Sequence, residues 1–208
     1  MPEARLRGLY LVTPDGLADE LLERRVEQAL AGRPALLQYR SKHPDAALRL
    51  RQAQALCALC RRAGVPFIVN DDVALALAVA ADGVHLGRDD GDIAAARAAL
   101  GTARIIGASC YDEWPRAAAA VAAGADYIAF GAVFASPTKP AAVRAPLDLF
   151  ARARRAFDVP LAAIGGIALD NANEPLAAGA DLLAVVSDVF DAPEPGARAA
   201  AYRALFAA

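Results

Sequence analysis

The stretch FIVNDDVALALAVAADGVHL, residues 67–86, contains the unit from which the rest of the chain is built. A short apolar run, Phe67–Val69, leads through three polar residues to a segment of helical period at Val73–Ala80. A second apolar run follows at Gly83–Leu86. Strand, helix and strand in this order are typical of a parallel β-sheet. The stretch therefore predicts a β/α repeat.

The same pattern recurs along the whole chain. The predicted strands are Leu9–Val12, Leu36–Tyr39, Phe67–Val69, Gly83–Leu86, Ile105–Ala108, Tyr127–Phe130, Leu161–Ile164 and Leu182–Val186. The predicted helices are Leu17–Gly32, Asp45–Ala63, Val73–Ala80, Ile93–Leu100, Glu113–Ala123, Leu147–Phe157, Asn171–Ala178 and Gly196–Phe206. This count predicts an α/β fold, a single-domain (β/α)8 TIM barrel over residues 1–208. A doubly wound open sheet is the alternative, but it normally has about five or six strands.

An internal repeat supports the barrel. Ala80-Ala81-Asp82-Gly83, Ala123-Gly124-Ala125-Asp126 and Ala178-Gly179-Ala180-Asp181 each join a helix to the following strand. We expect the glycine to supply the left-handed turn that ends the helix and the aspartate to begin the strand.

Composition excludes several classes of protein. Of the 208 residues 57% are hydrophobic, but 55 are alanine, so small side chains account for much of the apolar content. No uncharged apolar stretch is long enough to cross a bilayer, and no signal-peptide pattern follows Met1. The net charge of −2 argues against nucleic acid or an anionic membrane as the main partner. We expect a cytoplasmic protein that binds small molecules; whether it forms a homo-oligomer is left open.

Two scarce polar residue types, lysine and serine, fall at one end of the predicted barrel. The chain has 20 arginines but only two lysines and four serines, and these six residues lie at or just beyond strand ends. They are Ser41, Lys42, Ser109, Ser136, Lys139 and Ser187. Barrels build their active sites from the loops that follow the strands, so this end is the predicted site.

Cationic and acidic side chains meet at the same end. The cationic candidates are Arg40, Lys42, Lys139 and Arg88, which are suited to binding oxyanions. Asp71 and Asp90 could hold a hard cation such as Mg²⁺, leaving its other positions to water and substrate phosphate oxygens.

A second anion site is predicted after the last two strands. Gly165-Gly166 and Val186-Ser187 occupy the position where barrels bind phosphate through backbone N–H groups. A tight turn is the alternative interpretation of the glycine pair. Two anionic groups at different ends of one pocket are therefore expected.

Other polar residues have structural interpretations. Asp72 and Asp89 are interpreted as helix caps or solvated loop residues, and His85 as a core histidine bonded to a neighbour. Cys57 and Cys60 have no partner pair and are interpreted as packing residues. No Ser-His pair is evident, so the pocket is rich in charged groups and poor in general bases.

The sequence resembles the thiamine-phosphate synthase family. The resemblance lies in LLQYRSK (36–42), FIVNDDVALALAVAADGVHLGRDD (67–90), IIGASC (105–110), GADYIAFGAVFASPTKP (124–140), AAIGGIALDNA (162–172) and AGADLLAVVS (178–187). It implies a transferase that condenses 4-amino-2-methyl-5-hydroxymethylpyrimidine diphosphate with 4-methyl-5-(2-phosphoethyl)thiazole, in its carboxylated form, to give thiamine phosphate and diphosphate with Mg²⁺.

The resemblance also implies a role for each site residue. The residues implied to bind the pyrimidine diphosphate are Gln38, Tyr39, Arg40, Ser41, Lys42, Asn70, Ser109 and Lys139. Those implied to bind the thiazole phosphate are Ser136, Pro137, Thr138, Gly166, Val186 and Ser187. Arg40, Lys42, Ser109 and Lys139 are the implied catalytic residues, and Asp71 and Asp90 the Mg²⁺ ligands. The implied mechanism is dissociative: diphosphate leaves first, and the thiazole nitrogen attacks the pyrimidine cation.

Two departures and two alternatives accompany this hypothesis. The family often has glutamine in place of Arg88, and a T-x-T-K motif where this chain has residues 136–139. A thiazole tautomerase on the same barrel is one alternative, although the diphosphate and metal residues favour the synthase. A non-catalytic phosphate-binding or regulatory barrel is the other, and it would not need the Asp71/Asp90 pair.

Overall fold

The computed structural model describes residues 6–135 and 143–207. Eight strands lie within these ranges. They are β1 Gly8–Val12, β2 Leu36–Tyr39, β3 Phe67–Asn70, β4 Gly83–Leu86, β5 Ile105–Tyr111, β6 Tyr127–Gly131, β7 Leu161–Ile164 and β8 Leu182–Val185. All eight predicted strands are thus confirmed, three of them with the predicted bounds.

The helices alternate with the strands. They are α1 Asp19–Leu30, α2 Ala46–Ala63, α3 Val73–Ala78, α4 Ile93–Leu100, α5 Trp114–Ala122, α6 Asp148–Ala156, α7 Asn173–Ala177, α8 Ser187–Phe190 and α9 Pro195–Ala204. The short helix α8 was not predicted, because a single turn is too short to show helical periodicity. Across residues 6–135 and 143–207, no helix has both the length and the apolar character needed to cross a membrane.

Aspartates begin three of these helices. Asp45 accepts hydrogen bonds from the backbone N–H groups of Ala47 and Leu48, so it caps α2. Asp72 caps α3 by accepting from the Leu75 N–H at 2.8 Å, as predicted. These carboxylates satisfy N–H groups that the first helical turn leaves unpaired, which fixes where each helix begins.

The strands close into a parallel barrel. Each strand pairs with its sequence neighbours, and β1 also pairs with β8, with Tyr10 opposite Leu36 on one side and Ala184 on the other. The pairing of β1 with β8 excludes the open-sheet alternative and confirms the predicted barrel. The carboxyl ends of all eight strands therefore lie on one rim, called the upper rim below, and their amino ends on the lower rim.

Two apolar layers surround the strands. The interior of the barrel contains the buried side chains of Tyr10, Val12, Leu36, Ile68, Tyr127, Ala129, Ala162, Leu182 and Ala184. A larger layer, including Leu9 and Leu11 of β1, packs between strands and helices. Because three of the inward positions are alanine, the interior has room for two whole tyrosine rings.

The repeat found in the sequence forms a clamp on the lower rim. Asp82, Asp126 and Asp181 precede β4, β6 and β8, and each carboxylate accepts a backbone N–H from the first or second residue of the preceding strand, at 2.6 to 2.8 Å. Each aspartate N–H in turn donates to the carbonyl of that same strand residue. The clamps therefore set the register of three strand pairs. Ala35 occupies the equivalent position before β2 and makes only the backbone bond.

The turn before each clamp only partly follows the prediction. Gly124 and Gly179 adopt left-handed backbone, with φ of 94° and 110°, as predicted. In the first copy, however, the left-handed residue is Ala80, with φ of 49°. The Arg61 guanidinium donates to the Ala80 carbonyl at 2.8 Å and holds this turn in place.

Candidate active site

Side chains from three consecutive loops meet on the upper rim. A cavity of about 480 Å³ lies over the ends of β2, β3 and β4. Its lining residues are Ser41, Lys42, His43, Arg49, Asn70, Asp71, Asp72, Val73 and Asp90. The structure thus brings together five of the predicted site residues, Ser41, Lys42, Asn70, Asp71 and Asp90, whose loops are up to 49 residues apart in sequence.

The loop after β1 positions the loop after β2. Thr13 exchanges two hydrogen bonds with the backbone of Arg40, accepting from its N–H at 2.9 Å and donating to its carbonyl at 3.2 Å. Both carboxylate oxygens of Asp15 accept the Lys42 N–H at 3.1 Å, and the Arg40 guanidinium lies 3.8 Å from Asp15. The two predicted cationic residues of this loop are therefore held by groups from its neighbour.

Arg40 lies beside a second, smaller cavity. This space of about 300 Å³ is lined by the loops after β1 and β2, including Asp15, Arg40, Ser41 and His43. Ser41 and His43 line both cavities, so the two spaces are neighbours. Arg40 and Lys42 therefore lie on opposite sides of one loop, each beside one of two neighbouring cavities.

Asp71 and Asp90 form the electrostatic centre of the larger cavity. The Lys42 ammonium lies 3.1 Å from Asp71 Oδ2, and Asp90 Oδ2 accepts the Gly87 N–H at 2.8 Å. Partial burial raises the pKa of the Asp90 carboxyl, and the neighbouring Asp71 carboxyl raises it further. A raised pKa means that the second negative charge is held at a cost, which a proton or a cation would relieve.

The backbone places Asp71 in this position. Asp71 has φ of 66°, in the left-handed region, and its N–H donates to the His85 carbonyl at 2.8 Å. Few residues other than glycine adopt this conformation, aspartate and asparagine being among those that do, and it is found disproportionately at functional sites. Asp72, next in the chain, is instead turned toward its helix and pairs with Arg49 at 3.3 Å.

Successive side chains of β2 point to opposite faces of the barrel wall, so two neighbouring predicted residues lie in different surroundings. The Gln38 side chain enters the barrel interior, where its Nε2 donates to the Tyr10 hydroxyl. The Tyr39 side chain faces the helices, and its hydroxyl donates to Gln52 Oε1 at 2.7 Å. Tyr39 still lines the smaller cavity, but its hydroxyl is already used within the fold.

The glycine pair after β7 packs against Phe134, which lies just before the predicted residues 136–139 in the sequence. Gly165 and Gly166 have φ of 103° and 64°, and a Cβ on Gly166 would approach Phe134 Cβ to 2.8 Å. The Phe134 N–H donates to the Gly165 carbonyl at 3.0 Å. Only glycine combines this backbone conformation with so close an approach. Ser136, Pro137, Thr138 and Lys139 lie outside the described residues, so their predicted roles stay predictions.

The predicted phosphate site after β8 opens the short helix α8. β8 ends at Val185 rather than Val186, and Ser187 is the first residue of the helix and is exposed. Gly166, Val186 and Ser187 line neither of the two cavities described above. Their role in binding phosphate stays a prediction.

His85 and Ser109 form a pair that was not evident in the sequence. The His85 ring is buried, with Nε2 at 2.8 Å from Ser109 Oγ and Nδ1 at 2.9 Å from the Tyr127 hydroxyl. The expectation of no Ser-His pair was thus wrong, because β4 and β5 are neighbours in the barrel. Burial lowers the pKa of His85 to about 4, so it is a poor base for activating a nucleophile. The interpretation of His85 as a hydrogen-bonded core residue is confirmed.

Comparison with known proteins identifies the family. The family model for thiamine monophosphate synthase matches residues 9–189. The chain is 72% identical over 206 residues to a thiamine-phosphate synthase of Aromatoleum aromaticum, covering 99% of both chains, and 66% identical to that of Azoarcus sp., covering 98% of both. The chain belongs to the thiamine monophosphate synthase family. The resemblance found in the sequence is confirmed, and with it the class of enzyme, a transferase.

Solved structures agree with this fold. The thiamine phosphate pyrophosphorylase from Pyrococcus furiosus is 33% identical, with a TM-score of 0.83 over 97% of this chain and 96% of that one. A 3-hexulose-6-phosphate synthase, only 18% identical, has a TM-score of 0.68 and shares the barrel alone.

Arg88, one of the departures from the usual family sequence, is held at the edge of the rim. Its guanidinium pairs with Glu113 and lies 4.9 Å from the centre of the Tyr111 ring. About half of the Arg88 side chain is exposed, and the residue does not line the larger cavity. Among the described residues, the cationic group of this site therefore consists of Arg40, Lys42 and Arg49 rather than Arg88.

Sequence reasoning missed several residues of this family member's site. Asp15 lies beyond β1, like the polar residues that were found, so the same rule would have identified it. Arg49 is the fourth residue of α2, and in the sequence it cannot be distinguished from an arginine on an exposed helix surface. Tyr10 and Tyr127 read as ordinary strand residues, and only the closed barrel shows that their hydroxyls meet inside it.

Proposed function

We propose that this protein joins the hydroxymethylpyrimidine diphosphate to the thiazole phosphate, releasing diphosphate and forming thiamine phosphate. The observation that supports this most is the pair of neighbouring carboxylates, Asp71 and Asp90, in one cavity with Lys42. A phosphate-binding barrel without catalysis has no use for a carboxylate pair at the anion site. A diphosphate leaving group, which needs cations on several oxygens, explains it.

The cationic side chains are placed to hold the diphosphate. Lys42 is a mobile point charge, 61% exposed, and it can turn from Asp71 toward a ligand with little loss of burial. Arg40 presents a planar fork that can bind two phosphate oxygens together. Neither group is fully neutralised by a buried partner, so both can share charge that develops on the departing diphosphate.

Asp71 and Asp90 would hold Mg²⁺. In residues 6–135 and 143–207, no group of three or more histidine, cysteine, aspartate or glutamate side chains is arranged to hold a metal ion. Two carboxylates fit Mg²⁺ nonetheless, since Mg²⁺ often takes one or two carboxylates and completes its shell with water and substrate phosphate oxygens. Mg²⁺ bound there would neutralise the leaving diphosphate.

The reaction needs no general base, which agrees with a site that is rich in charged groups and poor in bases. Departure of diphosphate leaves a cation on the pyrimidine, and the thiazole nitrogen then forms the new bond without losing a proton. Lys42, Arg40 and Asn70 orient the leaving group, and Lys139 is proposed to assist them. Ser136 to Thr138, with the backbone at Gly166, Val186 and Ser187, would hold the thiazole phosphate in line for attack.

The setting of the enzyme is part of the proposal. The three cysteines, Cys57, Cys60 and Cys110, are all free and buried, and burial raises the pKa of Cys60 and of Cys110 to about 12. Free thiols in the core suit a reducing cytoplasm. The proposed partners are the two small-molecule substrates, with neither nucleic acid nor a membrane involved.

An assay of diphosphate release tests the function. We expect release only when both substrates and Mg²⁺ are present, and loss of activity when EDTA is added and its return with excess Mg²⁺. Turnover that is unaffected by chelation would overturn the metal assignment. Conversion of the thiazole alone, without diphosphate release, would instead indicate the tautomerase.

A further inference from the structure

A row of polar side chains crosses the interior of the barrel. Gln38 Nε2 donates to the Tyr10 hydroxyl, which lies 2.6 Å from the Tyr127 hydroxyl. Tyr127 is 2.9 Å from His85 Nδ1, and His85 Nε2 is 2.8 Å from Ser109 Oγ. These five residues, named the buried relay below, come from five different strands.

The buried relay is sealed from solvent except at Ser109. The Tyr10, Gln38, Tyr127 and His85 residues are between 0 and 6% exposed, whereas Ser109 is half-buried at the upper rim. The ring of Tyr127 lies beside Gly107, where a Cβ would overlap it. In an apolar interior every hydroxyl proton must find an acceptor, because an unpaired polar group there is costly.

The Gln38 amide turns its nitrogen toward Tyr10, and this orientation sets the direction of each bond in the row. The Gln38 amide nitrogen can only donate, so the Tyr10 oxygen accepts from it and the single Tyr10 proton goes to Tyr127. By the same reasoning the Tyr127 proton goes to His85 Nδ1, which must then be unprotonated.

The last bond of the row sets the orientation of Ser109. A neutral imidazole carries one N–H, which here must be on Nε2, so His85 donates to Ser109 Oγ. The Ser109 proton is then not used within the row. We propose that the buried relay makes Ser109 a hydrogen-bond donor toward the bound substrate, with His85 as its positioning residue.

This inference rests on the proposed function for its substrate. The group that receives the Ser109 proton must be an acceptor, such as a ring nitrogen of the pyrimidine or a diphosphate oxygen. The buried relay thus keeps the Ser109 proton available to the substrate, and it does so through Tyr10, Tyr127 and His85, which lie behind Ser109 in the barrel interior.

The position of the His85 proton can be measured without any assay of activity. The chain has only two histidines, so protein labelled with ¹⁵N-histidine gives two ring spin systems, and His43→Gln assigns them. We expect a neutral His85 with its proton on Nε2. A proton on Nδ1 would reverse every bond in the row and overturn the proposal, as would a doubly protonated ring at neutral pH. This outcome is independent of whether the proposed reaction occurs.

Tyr127→Phe tests the effect on substrate. It removes one hydroxyl and keeps the shape of the ring, so His85 loses the donor that fixes its tautomer. We expect a mixture of the two neutral tautomers and a fall of about tenfold in kcat/KM for the pyrimidine diphosphate, with the KM for the thiazole phosphate unchanged. A wild-type tautomer and wild-type kinetics would contradict the proposal.

Tyr202→Phe is the matched control. Tyr202 is also a fully buried tyrosine, and its hydroxyl donates to Asp188 Oδ2 at 2.7 Å, but it belongs to α9 and not to the buried relay. We expect it to leave the His85 tautomer and the kcat/KM for the pyrimidine diphosphate unchanged. Equal losses of kcat/KM in the Tyr127 and Tyr202 variants would show that the effect is general destabilisation. That result would overturn the positioning role.

Substitutions of His85 provide a rescue test. In His85→Gln an amide N–H can replace the Nε2–H donor to Ser109, whereas His85→Leu provides no donor. We expect the glutamine variant to keep several-fold more kcat/KM for the pyrimidine diphosphate than the leucine variant. Equal activity of the two variants would show that the donor to Ser109 is not needed.

Discussion

The two rims of the barrel use the same residue types in opposite ways. On the lower rim the carboxylates of Asp126 and Asp181 pair with Arg97 and Arg154, and each arginine also donates to the carbonyl of the glycine that ends a helix, at 2.9 Å. On the upper rim Asp71 and Asp90 lie beside each other, and the exposed Lys42 ammonium lies 3.1 Å from Asp71.

The difference separates carboxylates whose charge is satisfied within the fold from carboxylates whose charge is available to a ligand. A lower-rim aspartate accepts backbone N–H groups and faces a cation, so its charge is satisfied before any ligand arrives. In the upper-rim pair, burial and the neighbouring Asp71 carboxylate make the charged form of Asp90 less favourable, and a cation bound there would relieve this. Such imbalance is characteristic of functional sites, and it agrees with the placement of barrel active sites after the strands.

Asp90→Asn is the sharpest test of the upper rim. We expect a loss of about 10²- to 10³-fold in kcat, by analogy with other preorganised groups that stabilise charge. The free energy of unfolding should stay within about 0.5 kcal/mol or rise, because the raised pKa of Asp90 means that the fold disfavours its charge. Diphosphate release and urea unfolding measure the two effects. Near-full activity would exclude Asp90 from the metal site.

Asp181→Asn is the matched change on the lower rim. It keeps a side-chain oxygen for the Leu161 N–H but removes the charge that faces Arg154. We expect a loss of about 1–3 kcal/mol in the free energy of unfolding, with kcat unchanged. If this variant lost activity and kept its stability, the division between the two rims would be wrong.

Two glycines with the same backbone conformation extend the comparison. Gly166 on the upper rim and Gly64 on the lower rim have φ of 64° and 67°. A Cβ on Gly64 meets nothing within 4 Å, whereas one on Gly166 would press on Phe134. We expect Gly64→Ala to cost about 1 kcal/mol of stability without changing activity. Gly166→Ala should cost more and also raise the KM for the thiazole phosphate about tenfold.

Kinetics with each substrate varied in turn, together with urea unfolding, separate these effects. An unchanged KM in Gly166→Ala would remove the glycine pair from the thiazole phosphate site and leave it as a tight turn. A raised KM in Gly64→Ala would show that backbone strain anywhere disturbs the site. The difference between Gly166 and Gly64 would then not identify a phosphate-binding turn.

Arg88→Gln should have the smallest effect. Arg88 is half-exposed, paired with Glu113 at the edge of the upper rim and outside both cavities, so glutamine removes an exposed charge that is already paired. We expect kcat/KM for both substrates to stay within about threefold, since exposed ion pairs contribute little. A change of more than tenfold, measured in the same assay, would place Arg88 at the diphosphate after all.

The elements of the fold were predictable because their signals are local. Apolar runs such as Leu36–Tyr39 and Leu161–Ile164 are bounded by turn residues, and the structure gives them the predicted limits. The end of β5 was placed too early, since Ser109 to Tyr111 look like loop residues in the sequence. Helix α8 was missed because four residues show no period.

The candidate site was predictable only where its residues follow strands. Asn70, Asp71 and Asp90 were found in this way and share one cavity. Arg88 has the same position in sequence as a site residue, but Glu113, from another loop, turns it away. No sequence rule could have identified that pairing, because it depends on two loops that meet only after the barrel closes.

The sequence by itself determined the barrel, the rim where the active site is expected and the family, because periodicity, turn residues and strand ends are properties of neighbouring residues. The tertiary structure decided which charges remain available. It satisfied Asp126 and Asp181 on one rim and left Asp71 and Asp90 facing each other on the other. It also joined Gln38, Tyr10, Tyr127, His85 and Ser109 into one row, since these side chains come within hydrogen-bond distance only once the eight strands are closed.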